Sequence, residues 1–113
     1  NIEFLGLVSD FKLPSYYNKA KAVIFPQEED FGIVPVEAMA AGKPVIAYRG
    51  GGALETIKEG ETGEFFDEQN VESFIKTMAN FNERNFNPDK IKLHALRFDK
   101  EIFKNKILEL IKL

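Results

Sequence analysis

Short apolar runs and helix-patterned stretches take turns along this chain, and that alternation limits the possible folds more than any other feature. "NIEFLG" (1–6) has a strand pattern ending in glycine, "LPSYYNKA" (13–20) reads as a helix with Pro14 in its first turn, and "KAVIFP" (21–26) as a buried strand stopped by proline. A helix follows from about Pro35 to Ala41, with Gly42 where a C-terminal glycine commonly sits. "KPVIAY" (43–48) is a third strand, "RGGGALETIKEG" (49–60) sets a short helix behind three glycines, and "TGEFFD" (62–67) is a weak fourth strand. Strands joined through helices pair in parallel, because each crossover returns the chain to the same end of the sheet. The expected fold is thus α/β, a doubly wound parallel sheet with strands at 2–5, 22–25, 44–47 and 63–66. Residues 70–112 are expected to be helical, with three starts signalled by Asn70, by Asn87 followed by Pro88, and by Asp99.

Composition removes several classes of function. With 113 residues, 44% hydrophobic and 29% charged, the chain has enough apolar material for one core. A net charge of −3 and no basic run argue against a polyanionic partner such as nucleic acid. Without cysteine there is neither a disulfide framework nor a thiolate metal site, which fits a cytosolic protein. No apolar run reaches the ~18 to 20 residues of a membrane span. Asn1 in place of an initiator methionine or a signal peptide reads as a cut end, so residues upstream of it are expected to be missing.

The stretch "EDFGIVPVEAMAAGKPVIA" holds the chemistry. With Pro35 as the first helical residue, the cap falls on Val34, which has no side-chain oxygen to accept an N–H. Unpaired first-turn N–H groups, the positive end of the helix dipole and Gly32 nearby make either an anion site or a mouth covered by water. The glycines 50–52 form a second place where backbone could meet a ligand. Glu37 has two readings. In the first turn it would be stabilised by the helix dipole alone, whereas in so apolar a helix it would be half-buried and in need of donors, for which sugar hydroxyls would serve. Of Glu28, Glu29 and Asp30, at least two read as a solvated acidic loop. His94, the single histidine, lies in a tail helix where packing or surface exposure is its expected role.

The same stretch resembles the signature of the retaining glycosyltransferases of family 4 (group 1): two glutamates, Glu29 and Glu37, with seven residues between them, then a small-residue helix, a glycine and a Pro-Val-Ile-Ala strand. "NIEFLGLVSD" is similar to the segment before that signature, and "GGALETI" with "GETGEFF" to those after it, so the likeness is close over residues 1 to 67 and looser in the tail. It implies a Rossmann-like domain, residues 1–113 being the C-terminal donor-binding domain of a GT-B enzyme truncated on its N-terminal side. It also implies a role for each matching residue. Glu37 would bind the ribose hydroxyls, Glu29 would face the donor sugar as the catalytic acid position, and the backbone of Phe31, Gly32, Ile33 and Val34 would meet the sugar and the distal phosphate. Leu7, Val8 and Asp10 would edge the base.

"DFGIVPVEA" and "IAYRGGGALET" look most like mannosyltransferases that use GDP-mannose, although Asp30 replaces the glycine commonest there. The family transfers the sugar with retention by front-face attack. It needs no metal and no cofactor beyond the nucleotide sugar, and takes a glycan or lipid-linked acceptor on a separate N-terminal domain. A cytoplasmic protein, or one peripheral to the inner face of a membrane, is implied. The cations that neutralise the departing diphosphate usually lie upstream; neither Lys43 nor Arg49 matches them, so this segment by itself is expected to be inactive. The alternatives are a non-catalytic nucleotide-sugar-binding module, a structural remnant, and a sugar-nucleotide epimerase, against which the spaced acid pair argues.

Overall fold

The computed structural model describes residues 2–111. Three strands, β1 (Val23–Phe25), β2 (Val45–Tyr48) and β3 (Gly63–Phe66), form a parallel sheet in the order β1-β2-β3. Val23 lies beside Val45 and Val45 beside Gly63, so alternate residues share a face. One face presents Phe25, Val45, Ala47 and Phe65 to a core completed by Ala38, Met39, Ile57, Phe86, Ile91 and Ala95. Ala38 and Met39 come from helix α2 (Ile33–Ala40), Ile91 and Ala95 from helix α5 (Pro88–Ala95), Phe86 from just before α5, and Ile57 from just after Thr56. Gly63 sits at the tightest point of the sheet, where a Cβ would overlap the Val45 carbonyl oxygen.

The fourth expected strand, residues 2–5, does not form: among the described residues the sheet has three strands. Ile2 and Phe4 are 79% and 94% exposed, and the segment runs without regular structure into the turn before α1 (Leu13–Lys19). An apolar pattern makes a strand only where a ladder partner takes its N–H and C=O groups, and none stands beside it here.

The tail is helical and starts at the three expected places, with 3-10 turns between its helices. It consists of α4 (Val71–Asn80), a 3-10 turn at Glu83–Asn85, α5, a second 3-10 turn at Leu96–Phe98, and α6 (Lys100–Ile111); residue 112 lies outside the described residues. The caps are where local chemistry puts them. Asn70 accepts from the Ser73 N–H at 2.8 Å, Asn87 from the N–H groups of Asp89 and Lys90, and Asp99 immediately precedes α6. The short helix behind the three glycines, α3 (Ala53–Thr56), has only four residues.

Helix α2 begins two residues before Pro35, with Gly32 as its cap. Proline at the third helical position costs nothing in hydrogen bonding, since that N–H has no intrahelical acceptor in any helix. The other end closes as expected. Gly42, at φ +77°, donates to the Met39 carbonyl at 2.9 Å and Lys43 donates to that of Ala38 at 3.0 Å, the paired bonds of a Schellman motif.

Candidate functional site

The carboxyl ends of the three strands feed loops that are tied to one another. The Gly52 N–H donates to the Glu29 carbonyl at 2.6 Å, Gln69 Nε2 to the Pro26 carbonyl at 3.2 Å, and the Arg49 N–H to that of Phe66 at 3.0 Å. The glycine triplet packs against the acidic loop. A Cβ on Gly51 would overlap the Glu29 carbonyl oxygen, and one on Gly52 the Asp30 carbonyl oxygen, so these glycines admit the acidic loop against them. Gly32 likewise has no room for a side chain, because its Cβ would stand 2.9 Å from the Phe25 ring and 3.0 Å from Pro35 Cδ.

The mouth of α2 is open. No side chain caps it, and Asp30 does not fold back onto it. Phe31, Ile33 and Val34 stand exposed around it, with the Phe31 ring tilted against Phe98 at 6.3 Å. Glu29 is exposed in the adjoining loop, its Oε1 accepting from Gln27 Nε2 at 3.2 Å.

Glu37 lies in the second turn of α2, not the first, so the helix dipole is not what holds it. It is half-buried and accepts a hydrogen bond on Oε2 from the Tyr17 hydroxyl at 3.0 Å. The donor that an acid in this helix requires is thus supplied from α1, twenty positions away in sequence. Between α1 and α2 opens a cleft of about 510 Å³ lined by Asp10, Leu13, Tyr17, Asn18, Glu37 and Ala41 among others. Among the described residues, no lysine or arginine lines it. The structure therefore brings Asp10 and Glu37 to one cavity, while Leu7, fully exposed, and Val8, half-buried, do not line it. Tyr17 was not singled out in the sequence, and the apolar character of α2 around Glu37 was the only signal that a donor had to exist.

Burial first, and then the bond to Glu37, push the Tyr17 hydroxyl up to about 12 from 10.0. The folded-state value lies above the ordinary one, so the protonated phenol stabilises the fold fully below about pH 10 and that contribution is lost as pH rises through about 12. The phenolate absorbance step of Tyr17, assigned by its loss in Tyr17→Phe, is expected near pH 12. In Glu37→Gln it should come earlier, retaining the part due to burial. A step near pH 10 in the parent protein would contradict the bond.

Other charged groups are committed elsewhere. Arg49 binds Glu59 and, at 2.6 Å, Asp67, and its guanidinium lies 4.9 Å from the centre of the Phe65 ring. Glu59 above all, then Asp67, raise its already high pKa, so it remains a cation spent within the fold. His94 Nε2 is 2.7 Å from the Thr56 carbonyl and its ring packs edge-on to Phe98, a tie between α5 and α3. Among the described residues no group of three or more His, Cys, Asp or Glu side chains could hold a metal, and no helix is long and apolar enough to cross a membrane.

The model of the glycosyl transferases group 1 family matches residues 1–96. The chain is 48% identical over 60 residues to the alpha-1,3/1,6-mannosyltransferase alg-2 of Neurospora crassa, covering 52% of this chain and 13% of that one. It is 38% identical over 79 residues to the D-inositol 3-phosphate glycosyltransferase of Corynebacterium glutamicum, covering 69% of this chain and 19% of that one. The solved structure of Anabaena HepE in complex with UDP-glucose superposes with a TM-score of 0.74 at 27% identity, over 97% of this chain and 32% of that one. This chain thus spans a third or less of each of these relatives. A parallel sheet flanked by helices, an uncapped α2 and a match over most of the sequence agree with one another: the chain belongs to the group 1 glycosyl transferases.

Proposed function

We propose that this chain is the donor-binding domain of a retaining mannosyltransferase, with GDP-mannose as its sugar donor and a glycan or lipid-linked acceptor held by a domain outside residues 1–113. The observation that carries the reading is electrostatic sorting along α2. The cleft holding Asp10, Tyr17 and Glu37 has carboxylates and, among the described residues, no lining cation, so it suits neutral hydroxyls and repels phosphate. The uncapped mouth at Gly32 to Val34 presents unpaired N–H groups and the positive dipole end, which suit a phosphate. A nucleotide sugar has both kinds of group in one molecule. In this reading Glu37 binds the ribose, Asp10 with the backbone of Leu7 and Val8 edges the base, and Glu29 with the loop through Val34 faces the sugar and the distal phosphate. Catalysis then consists of positioning and of stabilising the departing diphosphate, with no resident metal, in a cytoplasmic setting. The cations facing the diphosphate come from elsewhere, because Arg49 is already paired, so residues 1–113 alone bind donor without turning it over.

The mannose assignment is supported by the fungal relative named above, and a uridine nucleotide is the second reading, favoured by the solved neighbours, which hold UDP-glucose or UDP. Calorimetric titration with GDP, UDP and ADP separates them. GDP is expected to bind at least about tenfold more tightly than either of the others, a difference of ~1.4 kcal/mol. Tighter UDP binding would replace the donor assignment, and no heat with any of the three would refute nucleotide binding.

A further inference from the structure

We propose that Tyr17 is a positioning residue for donor binding: its hydroxyl holds one oxygen of the Glu37 carboxylate, so that the other is presented in a fixed orientation to the ribose hydroxyls. The inference rests on the reading of Glu37 as the ribose acceptor. Glu37 is half-buried on a side chain with three free torsions, and its second-turn position gives it no help from the helix dipole. An unrestrained carboxylate would have to be ordered each time a ligand arrived, at the expense of affinity. Tyr17 removes that requirement. Its ring packs against the core from α1, which gives the hydroxyl a fixed origin, and the O–H reaches Glu37 Oε2 at 3.0 Å. Each carboxylate oxygen accepts more than one hydrogen bond, so Oε1 and the remaining lone pair on Oε2 stay available for the vicinal 2′ and 3′ hydroxyls.

The electrostatic surroundings favour this arrangement. The other charged side chain lining the cleft is Asp10, which repels Glu37, and Asn18 is a neutral lining residue; the hydrogen bond that Glu37 receives comes from the Tyr17 phenol. A lysine in that place would carry a charge able to draw the diphosphate into the ribose position. A phenol donates without adding charge. With its pKa pushed up to about 12, it continues to donate wherever the carboxylate is ionised and the fold intact.

The test compares GDP and UDP, each beside its 2′,3′-dideoxy counterpart, on the intact protein and its Tyr17→Phe variant, with circular dichroism to establish that the variant folds. Phenylalanine keeps the packed ring and deletes only the hydroxyl. Tyr17→Phe is expected to bind the ribonucleotide about five- to tenfold more weakly while its affinity for the dideoxynucleotide is unchanged. An equal loss for both nucleotides would mean that Tyr17 merely supports the fold, and an unchanged preference for the ribonucleotide would mean that Glu37 needs no such partner. Either result overturns the inference and leaves the ribose reading of Glu37 in place. A parent protein that binds ribo- and dideoxynucleotides alike would instead overturn both.

Discussion

Glu37→Gln should weaken binding of the free nucleotide roughly ten- to a hundredfold while turnover at saturating donor stays close to that of the parent, because a charged hydrogen bond to ribose contributes ~1.5 to 3 kcal/mol alike in the ground and transition states. Glu29→Gln should do the reverse, lowering turnover with little change in nucleotide affinity, since charge and geometry change at the sugar as the glycosidic bond breaks. The structure makes the pair a sharp test. The Glu29 side chain is exposed and accepts from Gln27, its link to Gly52 being through backbone that the substitution leaves intact, and Glu37 is half-buried under Tyr17, so neither side chain is a keystone of the core. Both variants should fold. Dissociation constants and turnover measured on each in the intact protein decide the matter, and parent-like behaviour of both would remove the donor-site assignment altogether.

Gly52→Ala should destabilise the protein by about 2 to 4 kcal/mol, combining an overpacking cost with the loss of a backbone hydrogen bond. Its backbone is ordinary, at φ −65°, so strain in the Gly52 torsions is not the cause. The cause is space: the new Cβ would overlap the Asp30 carbonyl oxygen and stand 2.7 Å from Phe31 Cα, pushing the acidic loop off and opening the bond from the Gly52 N–H to Glu29. Thermal unfolding should show a fall of roughly 10 °C. Nucleotide affinity should fall with it, since the displaced loop leads directly into the α2 mouth. A melting temperature within a degree or two of the parent would show that the loop is not pinned where it is described.

What could be read from the residues alone was what depends on near neighbours. Asn70 and Asn87 cap helices because the N–H groups they serve are two or three positions away, and Gly42 ends α2 for the same kind of local reason. Pro35 misled by two residues because proline is tolerated throughout the first turn, so it marks a helix start without numbering it. Residues 2–5 carry the pattern of a strand, but pairing is a property of two segments and the pattern belongs to one. Glycines 50–52 signalled close approach correctly and left open what approaches, since a carbonyl of the same chain and a ligand oxygen make the same demand on a Cα. At Glu37 the need for a donor was legible from its apolar helix; that the donor is Tyr17 depends on how α1 packs, which no local pattern encodes.

One helix carries both the mouth at Gly32 to Val34 and the acid at 37. Four residues of helical rise separate Ile33 from Glu37, about 6 Å along the axis, and the hydrogen-bonded backbone keeps that separation constant. On the proposed donor reading, helix α2 acts as a ruler. With the α2 mouth on phosphate and Glu37 on ribose, a nucleotide is accepted according to the spacing between its two ends, and the ends cannot be released one at a time by bending the protein between them. A shift of α2 as a body moves both contacts together, so whatever displaces this helix turns donor capture on or off as a single event.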